Sequence, residues 1–509
     1  MPLGKNTSFM EVQVPISFLF TFFCFFIVVL SIVKRPYSRK SLRNLPPGPW
    51  KIPLIGNLHQ FVGSLPHHSL RNLANKCGPL MHLQLGETSN IVVSSPEMAK
   101  EIMKTHDVIF SNRPYFLASR VISYNSTNIG FSPYGSYWRH LRKICTVELL
   151  SAKRVQSFSR IREEEVSALV TKISANEGSV INLSEYFFSL TTGITSRAAF
   201  GKRCRDHEAF LSIMEEALKL AGGFYVSDSY PSVKVLPVIS GMRGKLERLH
   251  SEIDRILDNI IKYHREKNSS RGQVEEDLVD VLLKLQQQND PDTPQLTDDN
   301  IKAVILDIFG AGTDTSSTTL EWAMSEMLKN PKVMEEAQAE VRRVFGKKGY
   351  VSEADLQHLQ YLKLVIKETL RLHPPAVLLL PRENTERCEI NGYEIPAKTR
   401  VIVNAWAIGR DPMYWNEAER FKPERFVDSP IDFRGRDFEY IPFGGGRRIC
   451  PGISFATALI EQPLAQLLYH FDWKLPNGMQ IEEFDMTESF GSTVRRKDKL
   501  LLIPTRYGT

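Results

Sequence analysis

The sequence has few cysteines, no internal repeat and no Gly-x-Gly-x-x-Gly motif at a strand–helix junction. Its six cysteines are spread over 509 residues without paired spacing, which excludes a disulfide framework and agrees with a reducing compartment. Because the glycine motif is missing, the sequence does not indicate a flavin or nicotinamide site. No linker divides the chain, so we expect one large core from a sequence with 42% hydrophobic residues.

Positive charge is also scarce outside the N-terminus. The formal net charge is +6, but residues 1–43 carry six basic residues and one acidic residue. The rest of the chain is therefore close to neutral and lacks the basic surface that nucleic-acid binding requires. We expect no nucleic-acid partner.

The N-terminus holds a long apolar run. Residues 12–33 contain no charge, and as a helix they would span about 33 Å, enough to cross a hydrocarbon core of about 30 Å. A cleaved signal peptide is the alternative, but the run is too long and no small-residue cleavage site precedes the basic cluster. By the positive-inside rule, the sequence predicts a luminal segment 1–11, a single transmembrane helix 12–33, a basic and Pro-rich hinge 34–49 and a cytosolic domain 50–509.

Apolar residues recur at helical spacing through most of the body. The predicted helices cover residues 96–105, 160–175, 207–221, 244–266, 297–329, 332–345 and 353–372. Short β-like runs lie at residues 80–85, 91–94, 401–404 and 499–504. The polar stretch 267–295 is interpreted as a loop between helices. The fold class is mainly α with small β-sheets.

One cysteine ends a run of glycines and arginines, Pro442-Phe443-Gly444-Gly445-Gly446-Arg447-Arg448-Ile449-Cys450-Pro451-Gly452. Glycines let a backbone turn tightly against a flat object, because no Cβ intrudes. Arg447 and Arg448 favour the thiolate form of Cys450, and a helix starting just after it would aim N–H groups at the sulfur. Such a thiolate is a nucleophile or a metal ligand; the alternative is an ordinary buried cysteine.

A second unusual stretch lies within the predicted helix 297–329. The segment Gly310-Ala311-Gly312-Thr313-Asp314-Thr315-Ser316 places two glycines and several polar groups in mid-helix, and each Gly costs about 1 kcal/mol relative to Ala. Either the glycines let a flat cofactor or a small molecule approach the backbone, or they serve a helix–helix contact. In the first case Asp314 and Thr315 can relay protons.

Both segments resemble one family. The pattern Phe443-x-x-Gly446-x-Arg448-x-Cys450-x-Gly452 resembles the haem-binding loop of the cytochrome P-450 family, and Ala311-Gly312-x-Asp314-Thr315 is similar to its oxygen-binding segment. The resemblance covers nearly the whole chain and is closest to plant microsomal members of the A-type clan. It implies the cytochrome P-450 fold and haem b, with the Cys450 thiolate as the axial ligand of the iron.

The resemblance implies a role for each matching residue. Thr315 would orient dioxygen and its water, and Asp314 would take part in proton delivery. Glu368 and Arg371 would join Arg425 in a buried cluster that stabilises the fold near the haem. The implied haem-binding residues are Trp138, Arg142, Ala311, Arg382, Phe443, Arg448, Cys450 and Gly452.

The implied substrate pocket is apolar, which suits a lipophilic molecule with few polar groups. Its predicted lining includes Phe116, Val121, Ile308, Ala311, Val377, Leu378 and Phe490. The expected reaction is insertion of one oxygen atom from O2 into a plant specialised metabolite. We rank terpenoid hydroxylation first, flavonoids or other phenolics second and alkaloids third.

Electrons must come from a partner, because the chain has no motif for its own nicotinamide. The resemblance implies NADPH, through NADPH–cytochrome P-450 reductase on the endoplasmic reticulum membrane, with the catalytic domain in the cytosol. We expect basic residues to meet the acidic surface of that reductase, namely Lys143, Lys153, Arg154 and Arg447. The membrane lipid is a further expected partner.

Two other functions are compatible with a haem-thiolate chain. One is an isomerase or dehydratase that rearranges peroxides without O2 or reductase; Asp314 and Thr315 disfavour it, because a proton relay serves O2 activation. The other is a non-catalytic haem-binding or lipid-binding membrane protein, which the intact ligand and relay residues disfavour.

Overall fold

The computed structural model describes residues 44–201, 207–222, 225–268, 276–288, 294–346 and 351–508. The predicted anchor at residues 12–33 lies outside these ranges. Among the helices that are described, none has the length and apolar character needed to cross a membrane. The described end of the Pro-rich hinge is packed on the domain, where His82 N donates to Pro47 O at 2.8 Å.

Helices form most of the described chain, as the sequence predicts. In chain order they are α1 (Pro66–Cys77), α2 (Pro96–Lys100), α3 (Leu117–Ile122), α4 (Ser136–Lys143), α5 (Ala152–Ser157), α6 (Ser159–Ser174), α7 (Leu183–Phe200), α8 (His207–Ala221), α9 (Val226–Ser229), α10 (Leu236–Ile239), α11 (Met242–Asn268), α12 (Leu278–Gln288), α13 (Asp298–Lys329), α14 (Pro331–Phe345), α15 (Gln360–Leu372), α16 (Ala405–Ile408) and α17 (Ile453–His470). The predicted helices from 160 to 345 agree with α6, α8, α11, α13 and α14 to within two residues. The predicted helix 353–372 is divided into a 3-10 turn, Glu353–His358, and α15.

The strands are short and form small sheets. They are β1 (Leu80–Leu85), β2 (Thr88–Val93), β3 (Ile181–Asn182), β4 (Arg382–Glu383), β5 (Cys388–Ile390), β6 (Tyr393–Ile395), β7 (Arg400–Val403), β8 (Phe471–Lys474), β9 (Glu488–Ser489), β10 (Arg495–Arg496) and β11 (Leu501–Arg506). The largest sheet has the order β1-β2-β7-β4, with β2 and β7 parallel. A second sheet has the order β3-β11-β8, and β5–β6 and β9–β10 are antiparallel pairs.

The interpretation of residues 267–295 as a loop is wrong in its middle, where α12 forms. Leu278, Val279, Leu282 and Leu283 are buried in the main hydrophobic core. These residues recur at helical spacing, and burying an apolar face stabilises a helix between two polar segments.

The central element is α13, the longest described helix. Thr297 caps its N-terminus: Thr297 Oγ1 accepts from Asn300 N, and Asn300 Oδ1 accepts from Thr297 N in return. The helix is buried on nearly every side between Asn300 and Met327, because α7 and α17 pack against it. α13 therefore places the polar segment around Ala311 in the middle of the domain.

Candidate active site

The Cys450 loop is a tight turn. Gly444 and Gly446 have φ angles of 72° and 66°, in the left-handed region that favours glycine. A Cβ atom added at Gly446 would lie 2.0 Å from Met103 O, so a larger residue does not fit without a backbone shift. The turn closes where Cys450 N donates to Phe443 O at 3.0 Å.

The sulfur of Cys450 lies at the N-terminus of α17, as the sequence predicts. Gly452 N donates to Cys450 Sγ at 3.3 Å. Burial raises the pKa of the Cys450 thiol, and the Gly452 N–H and the positive charge of Arg142 oppose this increase. On the same loop, the ring of Phe443 packs edge-on against Phe433, with 5.3 Å between the centroids.

The arginine that acts on the sulfur is Arg142, rather than Arg447 or Arg448 as the sequence indicated. Arg142 Nη1 donates to Ile449 O, next to the cysteine. Arg447 is exposed, and its backbone N donates to Asp107 Oδ2 at 2.8 Å. In the 3-10 turn Gly446–Arg448, the Arg447 side chain pairs with Asp107 and Arg448 donates to backbone carbonyls, so a residue distant in sequence provides the charge.

Arg448 is buried among backbone carbonyls. Its Nε donates to Ser111 O at 2.8 Å, and its Nη2 donates to Ser132 O at 2.6 Å. The guanidinium lies over the ring of Trp138, 4.2 Å from the centroid. Burial, together with the charges of Arg382 and Arg142, lowers the pKa of Arg448 to about 9.

Two more arginines lie in the same buried region. Arg382 Nη2 donates to Gly445 O at 2.7 Å, and its Nη1 lies 3.2 Å from Asp107 Oδ1. Arg113 donates to three backbone carbonyls; burial and the charges of Arg448 and Arg382 hold its pKa well below the usual value. Guanidinium groups bind carboxylates strongly and often bidentately. This cationic cluster beside the Cys450 loop can therefore bind an anion with two carboxylates.

One face of α13 is open where the rest of the helix is buried. Between Asn300 and Met327, the residues that are not fully buried are Asp307, Ala311, Gly312 and Thr315. Asp307, Ala311 and Thr315 follow one another at intervals of four, so they share a face. Thr315 Oγ1 donates to Ala311 O at 2.7 Å. The predicted catalytic threonine thus lies on an open face in the centre of the protein.

The two glycines of α13 contact other helices. A Cβ atom at Gly310 would lie 3.4 Å from Met214 Cε, and one at Gly312 would lie 3.3 Å from Phe455 Cε1 and 3.6 Å from the side chain of Thr195. The helix–helix alternative therefore accounts for Gly312, where an added Cβ atom would be tight, whereas at Gly310 an added Cβ atom would make ordinary contacts. Gly312 therefore lets α13 pack closely on α17 at Phe455, about one turn beyond Cys450.

Asp314 is buried and does not share the open face. Its Oδ2 accepts from Ser492 Oγ at 2.8 Å and from Thr493 Oγ1 at 3.0 Å. Its Oδ1 is paired with Arg495 Nη2. The family resemblance implied a role for Asp314 but identified none of these partners, which are more than 170 positions away.

The predicted pocket residues lie in separate hydrophobic clusters. Ile308 belongs to the main core with most of α13. Val377 and Leu378 are buried in a second cluster around β1, β2 and β7, and Phe490 packs against that cluster. Val121 packs against a third cluster between α3 and α11. Several of these residues therefore have clear packing roles.

Phe116 and Ala311 complete the predicted lining. Phe116 precedes α3 and packs edge-on against Phe131, with 6.2 Å between the ring centroids. The guanidinium of Arg400 lies 5.2 Å from the centre of the Phe116 ring. Ala311 is exposed on the open face of α13.

Glu368, Arg371 and Arg425 form one buried cluster. Arg371 binds Glu368 through two hydrogen bonds of 2.7 Å, and Arg425 Nε donates to the same carboxylate at 2.9 Å. Arg371 also donates to the carbonyls of Gly409 and Ala418. The cluster links α15 to the chain between α16 and the Cys450 loop.

Two residues of the site, Arg113 and Asp107, were missed from the sequence, and Asp307 was expected only as the first residue of a pocket-lining stretch, without a role of its own. Asp307 accepts from Asn128 Nδ2 at 2.6 Å and from Gly130 N at 2.8 Å, and burial raises its pKa to about 6. The spacing of four before Ala311 could have indicated Asp307. Nothing local distinguishes Arg113 or Asp107 from exposed charged residues.

Comparison with known proteins agrees with this geometry. A family model described as cytochrome P-450 matches residues 46–503. The chain is 60% identical to a Glycine max protein named cytochrome P-450 71D10, with 99% of each chain covered. It is 59% identical to desmethyl-deoxy-podophyllotoxin synthase of Sinopodophyllum hexandrum, covering 94% of this chain and 95% of that one. It is 52% identical to premnaspirodiene oxygenase of Hyoscyamus muticus, covering 96% and 98%.

Solved structures show the same fold. A zebrafish cytochrome P-450 with progesterone superposes with a TM-score of 0.76 at 24% identity, covering 87% of this chain and 100% of that chain.

Proposed function

The chain belongs to the cytochrome P-450 family, and on this premise we propose that it inserts one oxygen atom from O2 into a lipophilic plant metabolite, with a terpenoid as the first candidate. The family is one of haem-thiolate monooxygenases. The observation that carries the proposal is the open face of α13, where Ala311 and Thr315 are accessible inside an otherwise buried helix. A substrate and O2 need such a space in the core.

The donor set of the site fits a haem. The Cys450 sulfur would bind the iron, and Arg113, Arg142, Arg382 and Arg448 would pair with the two propionates, since buried guanidinium groups favour carboxylate partners. When bound, the haem supplies O2 binding, cleavage of the O–O bond and transfer of one oxygen atom.

Thr315 is suited to orient O2 and water. Its hydroxyl proton is directed to Ala311 O at 2.7 Å, so the oxygen lone pairs remain for donors on the open face. A hydroxyl fixed in this way accepts a hydrogen bond from water and holds that water near the reacting oxygen.

Asp314 is suited to exchange protons between solvent and this face. It adjoins Thr315 in sequence, and its carboxylate is bound by the hydroxyls of Ser492 and Thr493. Because hydroxyl groups both donate and accept, they can return a proton that the carboxylate has passed on.

The substrate proposal rests on the polarity of the site and on the relatives. Both oxygens of Asp307 already accept hydrogen bonds from protein groups, which weakens this carboxylate as a polar partner for a ligand. Leu380 lies on the same side of Gly130 as Asp307, since a Cβ atom added at Gly130 would meet both side chains, and Leu380 is exposed. An apolar lining of this kind suits a terpenoid skeleton, the class that premnaspirodiene oxygenase represents among the relatives.

A phenolic substrate of the lignan type is the second candidate. It is favoured by the 59% identity to desmethyl-deoxy-podophyllotoxin synthase. Alkaloids rank third, as in the order that the sequence suggested.

We also propose a single-pass anchor in the endoplasmic reticulum membrane at residues 12–33 and electron supply from NADPH through cytochrome P-450 reductase.

Lys143 and Lys153 support docking of the reductase near the cysteine. Both lysines are exposed, and Lys143 follows Arg142, which binds the Cys450 loop. Charge reversal at Lys143 and Lys153 should slow reduction by the reductase; an unchanged rate would contradict this docking face.

The test of the substrate is an optical titration of the haem-loaded protein with terpenoids, lignans, other phenolics and alkaloids, followed by turnover with reductase, NADPH and O2. We expect a terpenoid to shift the haem from low to high spin and to yield a product one oxygen atom heavier. A shift and product with a lignan alone would replace the terpenoid proposal. Product formation without O2 and reductase would contradict a monooxygenase and favour an isomerase.

A further inference from the structure

The segment between Ser492 and Arg495 follows one face of α13. Thr493 Oγ1 lies 3.2 Å from Thr318 Oγ1, and Trp322 Nε1 donates to Val494 O at 2.9 Å. With Asp314, these helix residues are spaced four apart, so they form a continuous stripe on α13. The segment is thus fixed to the helix that carries the open face.

Both carboxylate oxygens of Asp314 accept hydrogen bonds from this segment. The side chain of Asp314 is 4% exposed, and three donors reach it from Ser492, Thr493 and Arg495. A buried carboxylate remains ionised only when opposite charge and hydrogen bonds compensate for lost hydration. Arg495 is the cation in direct contact.

Besides Asp314, Arg495 interacts with one residue of α7 and one of α8. Its guanidinium lies 5.5 Å from the ring centre of Phe188 on α7. Burial lowers the pKa of Arg495, and the charge of Glu215 on α8 opposes this decrease. Arg496, the other residue of β10, is more deeply buried than Arg495; it packs over Phe484 at 4.2 Å and makes no described contact with Asp314.

We propose that Arg495 is a positioning residue for Asp314: its guanidinium fixes the orientation of the carboxylate and restores its ionised state after each proton transfer. This proposal rests on the proposed function. The reaction R–H + O2 + 2e⁻ + 2H⁺ gives R–OH + H2O, and both protons go to the oxygen atom that leaves as water. When delivery fails, O2 + 2e⁻ + 2H⁺ gives H2O2, and the substrate is not oxidised.

The ionic pair therefore controls how electrons are divided between product and peroxide. Asp314 must receive a proton from the solvent side and release it toward Thr315. With Arg495 in contact, release is favoured because the carboxylate is stabilised as an anion. Without Arg495, the carboxyl group retains its proton or turns away, and peroxide increases.

The first test compares product and peroxide formed per NADPH in Arg495→Met and Arg495→Lys, with Arg496→Met as the matched control. General acid–base groups contribute about 10²- to 10⁴-fold; loss of positioning alone should lower product per NADPH by about threefold to tenfold in Arg495→Met. In Arg495→Met we expect a larger solvent isotope effect, while substrate affinity in the spin-shift titration stays near that of the natural protein. Arg495→Lys should retain part of the product formed per NADPH. Arg496→Met should keep the natural product-to-peroxide ratio.

The second test measures the contact without turnover. Thermal unfolding is compared for Arg495→Met, Asp314→Asn and the double variant, because residues in contact give non-additive effects. We expect the double variant to unfold at nearly the same temperature as Arg495→Met. Additive decreases would show that the two residues do not interact and would overturn the proposal.

The outcomes separate this proposal from the proposed function. If Asp314→Asn increases peroxide but Arg495→Met does not, the positioning role is overturned while the proton role of Asp314 stands. If Asp314→Asn leaves the ratio unchanged, the proton role itself fails, and the proposal fails with it. An increase in peroxide for both variants, with non-additive unfolding, supports the positioning role.

Discussion

Trp138 and Arg448 donate to the same backbone carbonyl, that of Ile129. Trp138 Nε1 lies 3.1 Å from Ile129 O, and Arg448 Nη1 lies 3.3 Å from it. Since the guanidinium also lies over the indole ring, the two side chains fix each other and the loop around residue 129. The Cys450 loop is held to α4 through this contact and through Arg142.

Replacing Trp138 by Phe should weaken this connection in a limited way. The ring beneath Arg448 is retained, but the N–H donor is lost, so we expect the free energy of unfolding to fall by about 1 kcal/mol. Trp138→Leu removes the cation–π contact as well, worth about 2 kcal/mol in a buried site. Urea unfolding of the haem-loaded protein measures both. The exposed Trp50 is the control: Trp50→Phe should change stability by less than about 0.5 kcal/mol.

Gly446→Ala should disrupt the Cys450 loop. The new Cβ atom would meet Met103 O at 2.0 Å, so the loop or its neighbour must move. Gly478 has φ of 68°, close to that of Gly446, and nothing lies near its Cβ position. Gly478→Ala therefore costs only the left-handed conformation, about 1–2 kcal/mol. We expect Gly446→Ala to lose more stability and most of its bound haem; equal effects in both variants would contradict the steric argument.

Glu368→Gln should be strongly destabilising. Glu368 is fully buried and pairs with both Arg371 and Arg425, so its replacement leaves their positive charges without a counter-ion, at a cost of about 3–5 kcal/mol. Glu417 and Arg420 have the same Glu-x-x-Arg spacing in an exposed pair. Glu417→Gln should leave the unfolding midpoint in urea nearly unchanged. Similar midpoints for the two variants would contradict the buried-charge account.

His264 should give a pH-dependent contribution to stability. Its Nδ1 contacts Ile260 O at 2.8 Å and its Nε2 contacts Asp277 Oδ2 at 2.9 Å, and both contacts are hydrogen bonds only when the ring is protonated. Burial lowers the pKa of His264, but the bond and charge of Asp277 outweigh it, and the net pKa is raised. The contribution is complete below the unfolded value of about 6.5 and is lost as pH rises through the folded pKa.

The measurement is the difference in unfolding temperature between the natural protein and His264→Gln from pH 5.5 upward. We expect this difference to be largest at low pH and to shrink as pH rises. His358→Gln, at an exposed position, serves as the control and should show no trend. A difference that grows with pH would contradict the charged pair.

The sequence predicted what depends on local pattern. The bounds of α13, the turn of three glycines and the helix after Cys450 follow from spacing, capping and conformational preference, and the cluster of Glu368 followed from a family resemblance. The partners of the other buried charges discussed above did not follow. Arg142 acts on Cys450 across about 300 positions, and Arg495 on Asp314 across 181, because tertiary packing brings together residues whose own surroundings are unremarkable.

The glycines of α13 show the same limit. Their poor helix propensity indicated a special role, but propensity does not identify the neighbour. In the structure, Gly312 contacts Phe455 and Thr195, and the open position is Ala311, a residue with the best helix propensity. Accessibility in a core depends on the surrounding helices.

The most direct test of the account is the carbon monoxide difference spectrum of the reduced protein and of Cys450→Ser. We expect the red-shifted absorption of a thiolate-ligated haem in the natural protein and in the control Cys388→Ser, and its loss in Cys450→Ser. Retention of that absorption in Cys450→Ser, or its absence from the natural protein, would contradict the assignment of Cys450 as the ligand of the haem iron.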